Sequence, residues 1–303
     1  MDKLNKSVYI IVLNYKNLED TLFCLKSLRN IKYKAYHVVV VDNDSQDGSY
    51  EYLKEHETDY KVMQSGVNRG YAAGNNVGIR YAVAQGADYV CILNNDVEVE
   101  PDFLQKLVSY MENDSKVGMV GPVVYEFSNR NIIQSAGCTI TTGLGKTSSP
   151  LRGKNKNVIS KELVKYCDGL SGSCLLIRRD ALEKAGLIPE MYFLFFEEME
   201  WCLNIRKHGY KLAVVCGAEV YHKGAATVKK TGTFYKYYMA RNQVLFVRRN
   251  GTMFDLSLFL LREGLGYLYR RIFSISSHRE IRKMEFDAFW EGLTMDKNAQ
   301  EKM

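Results

Sequence analysis

Residues 36–45 read Tyr-His-Val-Val-Val-Val-Asp-Asn-Asp-Ser. Four consecutive β-branched valines favour an extended, packed chain. Asp42-Asn43-Asp44-Ser45 then supplies the short polar side chains that turn a chain out of a strand. The same pattern, an apolar run closed by polar residues, occurs at Val8–Leu13 with Asn14-Tyr15 and at Tyr89–Leu93 with Asn94-Asn95-Asp96. Between these runs, Leu18–Leu28 places Leu18, Leu22, Leu25 and Leu28 on one helical face. Gly48–Lys54 reads as a short helix, Lys61–Met63 as a further strand, and Tyr71–Gln85 as a helix rich in small residues. Pro101 stands where a helix over Phe103–Met111 would begin. Strands and helices alternating through short turns imply an α/β fold, a mostly parallel central sheet flanked by helices. Ligands in such sheets lie beyond the carboxyl ends of the strands, where all three polar clusters fall.

The remainder of the chain fits a globular protein. Of 303 residues, 46% are apolar and 25% charged, which excludes a disordered chain, a collagen-like repeat and a multi-span membrane protein. Lys plus Arg number 41 against 35 acids, a net +6 that hints at anionic partners. Seven scattered cysteines with no CxxC pair suggest reduced thiols. Together with a first stretch, Met-Asp-Lys-Leu-Asn-Lys, that lacks the apolar core of a secretion signal, they predict a cytoplasmic location.

Downstream, Thr139–Asn157 reads as a hairpin tip followed by a mobile loop, with basic residues from Lys146 to Lys165 facing only Glu162. Apolar patterning returns at Gly172–Ile177. Met191–Phe196 leads into Glu197-Glu198-Met199-Glu200-Trp201, a helix to about His208 and a strand at Lys211–Val215. Phe234–Arg249 and Leu256–Phe273 pattern as amphipathic helices. No repeat or linker interrupts the chain, so the reading is one elaborated domain over 1–250 with a helical C-terminal extension over 251–303. Lys223, Lys229, Lys230, Lys236, Arg241, Arg248 and Arg249 occur without an acid among them and predict a basic surface. With the apolar residues of 254–273, that surface would meet an anionic membrane or a second copy of the chain in a homodimer.

Several residues carry chemistry under one reading and architecture under another. Asp42 can accept a hydrogen bond from a base N–H or a ribose hydroxyl, or simply shape the turn. Asp96 can hold a hard divalent cation that also needs phosphate oxygens, or cap a helix. Asn68-Arg69-Gly70-Tyr71-Ala72-Ala73-Gly74 is neither GxGxxG nor a Walker loop; it lets a ligand or another element approach a helix start. Glu197, Glu198 and Glu200 suit a helix dipole, and a carboxylate among aromatics also suits a general base. His222 stands alone.

Taken in order, these motifs resemble glycosyltransferase family 2, inverting enzymes of the GT-A fold. The resemblance rests on Val-Leu-Asn-Tyr (12–15), Val-Asp-Asn-Asp-Ser-Gln-Asp-Gly (41–48), Asn-Arg-Gly-Tyr-Ala-Ala-Gly-Asn-Asn (68–76) and Leu-Asn-Asn-Asp (93–96). It continues through Gly172-Ser173-Cys174, Phe195-Phe196-Glu197-Glu198-Met199-Glu200, Arg206-Lys207-His208-Gly209-Tyr210 and His222. It spans about residues 7–250 and is nearest the rhamnosyltransferase-like branch that builds bacterial surface polysaccharides. The resemblance implies a donor nucleotide against Asn14, Tyr15, Asp42, Asp44, Asn68, Arg69, Gly74 and Asn95. It implies Mn2+ or Mg2+ at Asp96, with His222 assisting. Glu198 takes the place of the catalytic base; the family's usual Glu-Asp pair is Glu-Glu here, which leaves Glu197 and Glu200 as contenders. Asp168, Ser173, Glu197 and Trp201 are acceptor candidates.

The implied activity moves a sugar from a nucleoside-diphosphate donor, of the dTDP-rhamnose or UDP-hexose type, to a glycan or lipid-linked saccharide hydroxyl. Nucleic acid is not an expected partner, and a peripheral place on the inner face of the cell membrane is. The rival is a degenerate, non-catalytic member that binds polysaccharide or RNA. A nucleotidyltransferase would need a Gly-rich loop where Asn14-Tyr15-Lys16-Asn17 stands, and a dehydrogenase would need GxGxxG.

Overall fold

The computed structural model describes residues 5–224, 232–273 and 278–296. Its first half is βαβ in plan: β1 (Val8–Asn14), α1 (Leu18–Leu28), β2 (Tyr36–Asp42), α2 (Ser49–His56), β3 (Lys61–Gln64), α3 (Tyr71–Ala84) and β4 (Tyr89–Asn94). There follow β5 (Val97–Val99), α4 (Phe103–Asn113), β6 (Val117–Glu126), β7 (Ile133–Ser135), the hairpin β8 (Thr139–Thr141) and β9 (Lys146–Ser148), and β10 (Val164–Cys167). β11 (Cys174–Arg178), α5 (Arg179–Ala185), α6 (Glu197–Lys207) and β12 (Lys211–His222) complete the sheet. The last helices are α7 (Thr233–Asn250), α8 (Met253–Phe259), α9 (Leu265–Ile272) and α10 (Arg279–Thr294), with one π turn at Leu260–Gly264 joining α8 to α9.

The main sheet runs β10-β12-β6-β11-β4-β1-β2-β3. Strands β4, β1, β2 and β3 are parallel, as their helical crossovers require. β11 lies antiparallel between β4 and β6, and β12 runs parallel to β6, so the other half of the sheet is mixed. The strand read at Lys211–Val215 is the first part of a longer one, which bulges between Val215 and Glu219 and carries on to His222.

Both faces of the sheet are covered, and the strand alternation divides the core accordingly. Val8, Ile10, Val12, Val38, Val40, Cys91 and Leu93 pack with α1 and α4, while Ile11, Val39, Val41 and Ile92 pack with α3, α5 and α6. Gly78 of α3 is needed for that approach, because a Cβ there would sit 2.5 Å from Ile11 Cγ2.

The expected basic surface is corrected by the fold. Lys223 pairs with Asp20, Arg249 pairs with Glu200, and Arg248 donates to the carbonyls of Gly292 (2.8 Å) and Met295 (3.0 Å). Arg241 is buried. These side chains read as an uncompensated run because their partners come from distant segments. Lys229 and Lys230 lie outside the described residues.

Candidate functional site

A cavity of about 690 Å³ opens at the carboxyl ends of β1, β2 and β4. The strand ends contribute Leu13, Asn43 and Asn94–Asp96, and the start of α3 contributes Asn68, Gly70 and Tyr71. Phe193–Phe195 enter from the segment before α6, His222 from the end of β12, and Phe234 and Tyr235 from α7.

Strand parity decides which side chains reach it. Asn14 and Asp42 are paired across β1 and β2 and point toward α1, on the side of Val12 and Val40. Both are fully buried. Asp42 accepts from Asn14 Nδ2 (2.7 Å), Ser45 N (3.0 Å) and Ser45 Oγ (2.6 Å), and Thr21 Oγ1 donates to Asn14 Oδ1 (2.8 Å). The expectation that Asn14 and Asp42 touch a nucleobase is therefore corrected: they form a sealed network that fixes the turn. The next residue, Asn43, faces the cavity instead. Its Nδ2 donates to Asn68 Oδ1 (3.0 Å) and Gly70 O (3.3 Å), while its buried Oδ1 has no hydrogen-bond partner.

The other donor-site candidates divide. Tyr15, Asn68 and Asn95 line the cavity, and Asn95 is oriented by donating to Thr21 Oγ1 (2.9 Å). Gly74 acts through packing, since a Cβ there would lie 2.6 Å from Leu13 Cδ1 and 3.0 Å from Asn43 Oδ1. Asp44 adopts a left-handed backbone (φ 59°) and accepts from Gln46, and Arg69 pairs with Glu190 at 3.8 Å; neither is on the cavity wall.

Asp96 and His222 meet on one side of the cavity, with His222 Nε2 3.0 Å from Asp96 Oδ1. Gln134 Oε1 faces His222 Nδ1, and Gln134 Nε2 donates to the His222 carbonyl (3.4 Å), which fixes the amide's orientation. Nδ1–H thus donates to Gln134 and Nε2 is turned to the carboxylate. Gly224 N–H donates to the other oxygen of Asp96 at 3.2 Å. One carboxylate and one imidazole suit a divalent ion completed by phosphate oxygens; no cluster of three such ligands occurs among the described residues.

The acidic run opens α6, and its three glutamates have separate surroundings. Glu200 is buried in an ion pair with Arg249 (2.6–3.0 Å), accepts from Asn250 Nδ2 (2.8 Å) and also holds the Tyr192 hydroxyl. Glu197 is sealed, its Oε2 unpartnered, and burial pushes its carboxyl well above the usual range, with the charge of Glu198 adding to the effect. Glu198 is half-buried, and its carboxyl is raised by burial and lowered in part by its own backbone N–H. It lies beside Gly172, where a Cβ would come within 3.6 Å of Glu198 Cγ and 3.3 Å of the Tyr71 hydroxyl. That hydroxyl donates to Gly172 O (2.7 Å). Burial and then the neighbouring Glu198 keep it from ionising. Tyr71 thus stands between the acidic run and the cavity.

Two acceptor candidates are corrected by burial. Trp201 is wholly enclosed and donates from Nε1 to Gly186 O (2.8 Å). Ser173 is 3% exposed and shares a hydrogen bond with Ser171 Oγ (2.8 Å). Asp168 sits at the surface in an ion pair with Arg206 (2.9 Å) and accepts from Ile140 N (3.1 Å).

Residues 7–186 match the family described as Glycosyl transferase family 2. The chain is 26% identical over 240 residues to the low-salt glycan biosynthesis hexosyltransferase Agl10 of Haloferax volcanii, covering 78% of this chain and 74% of that one. It is 25% identical over 264 residues to the dTDP-rhamnosyl transferase RfbF of Shigella flexneri, covering 84% of each. It is also 25% identical over 218 residues to an N-acetylglucosaminyl-diphospho-decaprenol L-rhamnosyltransferase of Mycobacterium tuberculosis, covering 66% and 71%. The fold is similar to GalNAc-T7 solved with UDP, GalNAc and Mn2+ (TM-score 0.68, 17% identity), over 94% of this chain but only 56% of that one. It is similar too to the mannosyltransferase PcManGT of Pyrobaculum calidifontis, solved with GDP-Man and Mn2+ (TM-score 0.57, 15% identity, covering 95% and 87%).

Proposed function

The chain belongs to glycosyltransferase family 2 and is a glycosyltransferase of the GT-A fold, and from that membership we propose its donor, acceptor and mechanism. The donor is a nucleoside-diphosphate sugar of the dTDP-rhamnose or UDP-hexose type. The acceptor is a hydroxyl of a glycan or polyprenyl-linked saccharide in cell-surface polysaccharide synthesis. The relatives named above act on dTDP-rhamnose in one case and a decaprenol-linked sugar in another. The observation that carries the reading is the cavity itself, with the Asp96–His222 pair on its wall and Glu198 beside the Tyr71 that helps to line it.

In this reading Tyr15, Asn43, Asn68 and Asn95, which line the cavity, receive the nucleoside. Asp96 and His222 would hold Mn2+ or Mg2+. Neutralisation of the departing diphosphate is the chemistry such a cation supplies when bound. Glu198 takes the acceptor hydroxyl's proton while that oxygen bonds to the anomeric carbon. The carbon–oxygen bond to the diphosphate breaks with its electron pair leaving on phosphate oxygen, and a single displacement inverts the centre. Glu200, locked to Arg249, is a structural acid. Calorimetric titration of UDP, dTDP and GDP, with and without Mn2+, tests the donor assignment. One nucleotide should bind selectively and more tightly with Mn2+, an enhancement absent in Asp96→Ala; failure of all three to bind with metal present would overturn it.

We read residues 1–250 as the transferase and 251–303 as an extension that rests on an anionic membrane surface. Phe254, Leu258, Leu261, Leu265, Leu268 and Ile272 recur at alternating spacings of four and three, and each is between 41% and 77% exposed. Leu256, Phe259, Leu260 and Tyr267 on the opposite side pack with Val244, Val247 and Phe289. Arg262, Arg270 and Arg271 belong to the same stretch, with Arg262 3.7 Å from Glu263 and Arg270 over the Tyr267 ring, and its two acids are engaged: Asp255 in a capping box with Thr252 and Glu263 with Lys146. That charge balance favours anionic headgroups. No described helix is long and apolar enough to cross a membrane.

A further inference from the structure

The segment leading into the acidic run carries backbone torsions that side-chain-bearing residues seldom adopt. Phe193 (φ 64°), Phe195 (φ 69°) and Phe196 (φ 79°) are all left-handed. Each such residue costs on the order of 1–3 kcal/mol and persists only where its surroundings over-determine it. Here the restraint comes from α7. Asn242, fully buried, donates from Nδ2 to the carbonyls of Tyr192 (2.9 Å), Leu194 (2.8 Å) and Phe195 (3.0 Å). Arg241, 8% exposed, donates from Nη2 to the carbonyls of Met191 (3.0 Å) and Tyr192 (2.7 Å), and from Nε to Asn242 Oδ1 (2.8 Å).

A second restraint holds the same segment from the cavity side. Phe193 stacks on Tyr238 (centroids 5.1 Å apart, 13° between planes), and the Arg241 guanidinium lies 4.8 Å from the Tyr238 ring. The Phe193 carbonyl accepts from Tyr71 N (2.8 Å), and a Cβ on Gly70 would come within 2.1 Å of that carbonyl oxygen. Met191–Phe196 is thus gripped by α7 on one side and α3 on the other, and Glu197 and Glu198 follow it directly.

We propose that Arg241 and Asn242 are positioning residues for the transfer reaction. By holding five carbonyl contacts of Met191–Phe195, they keep the left-handed turn from which Glu197 and Glu198 follow, and so the place of Glu198 beside Gly172 and Tyr71. This inference rests on the reading of Glu198 as base. Both residues lie beyond the 7–186 span that matches the family. A base displaced by about 1 Å loses up to about 100-fold in rate, whereas Tyr15, Asn43 and Asn95, assigned above to the nucleoside, stand on other segments of the cavity wall.

Asn242→Asp keeps the side chain's size but turns its donor into an acceptor facing three carbonyls. In the full-length protein, kcat for donor turnover should fall about 10- to 100-fold, while donor KM and nucleotide Kd stay within about threefold of wild type. Should Asn242→Asp fail to fold, Arg241→Lys, which keeps the charge but loses the fork, decides the matter with a smaller change in the same direction. Unchanged kcat per folded molecule, or equal losses in kcat and nucleotide affinity, overturns the inference. Glu198→Gln is assayed alongside. If it retains wild-type turnover, the base assignment fails; if it is inactive while the α7 variants keep full kcat, only the positioning role fails.

Discussion

At the residue scale, the three glutamates that open α6 look equivalent in sequence and are not equivalent in space. Which carboxylate is sealed or paired depends on Arg249, 49 residues after the Glu200 it holds, and on Gly172, 26 residues before the Glu198 it lies against. Local sequence carries no trace of that. Strand parity was overlooked in the sequence, although it follows from the alternation: Asp42 shares the side of Val38 and Val40, and Asn43 begins the other face. The sealed carboxyl of Glu197 makes a stability prediction. Its pKa is raised on folding, so between the unfolded value near 4.3 and the higher folded value the native state holds more protons than the unfolded one. Stability on this account falls as pH rises through that window. Glu197→Gln should be more stable than wild type above the folded pKa, with the difference fading toward pH 4, as read by urea midpoints across the range. A variant less stable than wild type at pH 8 would contradict the assignment.

At the scale of elements, α6 is fastened to α7 by one buried ion pair. Removing Arg249 strands the Glu200 carboxylate in a site that is 1% exposed. Arg249→Ala should lose about 3–5 kcal/mol in urea unfolding, and Glu200→Leu/Arg249→Met should recover most of it. Equal stability of the single and double variants would show that the pair is not the fastening. The elements themselves were legible where periodicity was strong, and α1 spans the residues its leucine spacing predicts. β6 was not, because Gly118, Gly121 and Pro122 interrupt it. Its strand character comes from the neighbours it acquires, β11 and β12. The cavity aromatics Tyr71, Phe193, Phe195, Phe234 and Tyr235 were missed as site residues for a related reason: they sit at helix starts and in a left-handed turn, where no periodic signal exists.

At the scale of the whole molecule, the cavity and the outer apolar face of α8 and α9 are separate surfaces of one chain, proposed above as a donor site and a membrane contact. Flotation with phosphatidylglycerol-containing vesicles should recover the wild-type protein, with binding weakened by salt and by Leu261→Glu/Leu265→Glu. Absence from the vesicle fraction, together with a concentration-dependent dimer that the same substitutions dissolve, would replace the membrane with a second copy of the chain.

Glu198 is proposed to work as the base beside a cavity that binds the donor nucleotide without it. The direct measurement is donor-sugar transfer by Glu198→Gln with nucleotide affinity measured on the same sample. The expected rate is about 10²–10⁴ below wild type with nucleotide binding intact, and the acid limb of the wild-type pH–rate profile should lie above the usual carboxylate range because burial raises the Glu198 carboxyl. Transfer at the wild-type rate by Glu198→Gln would contradict it.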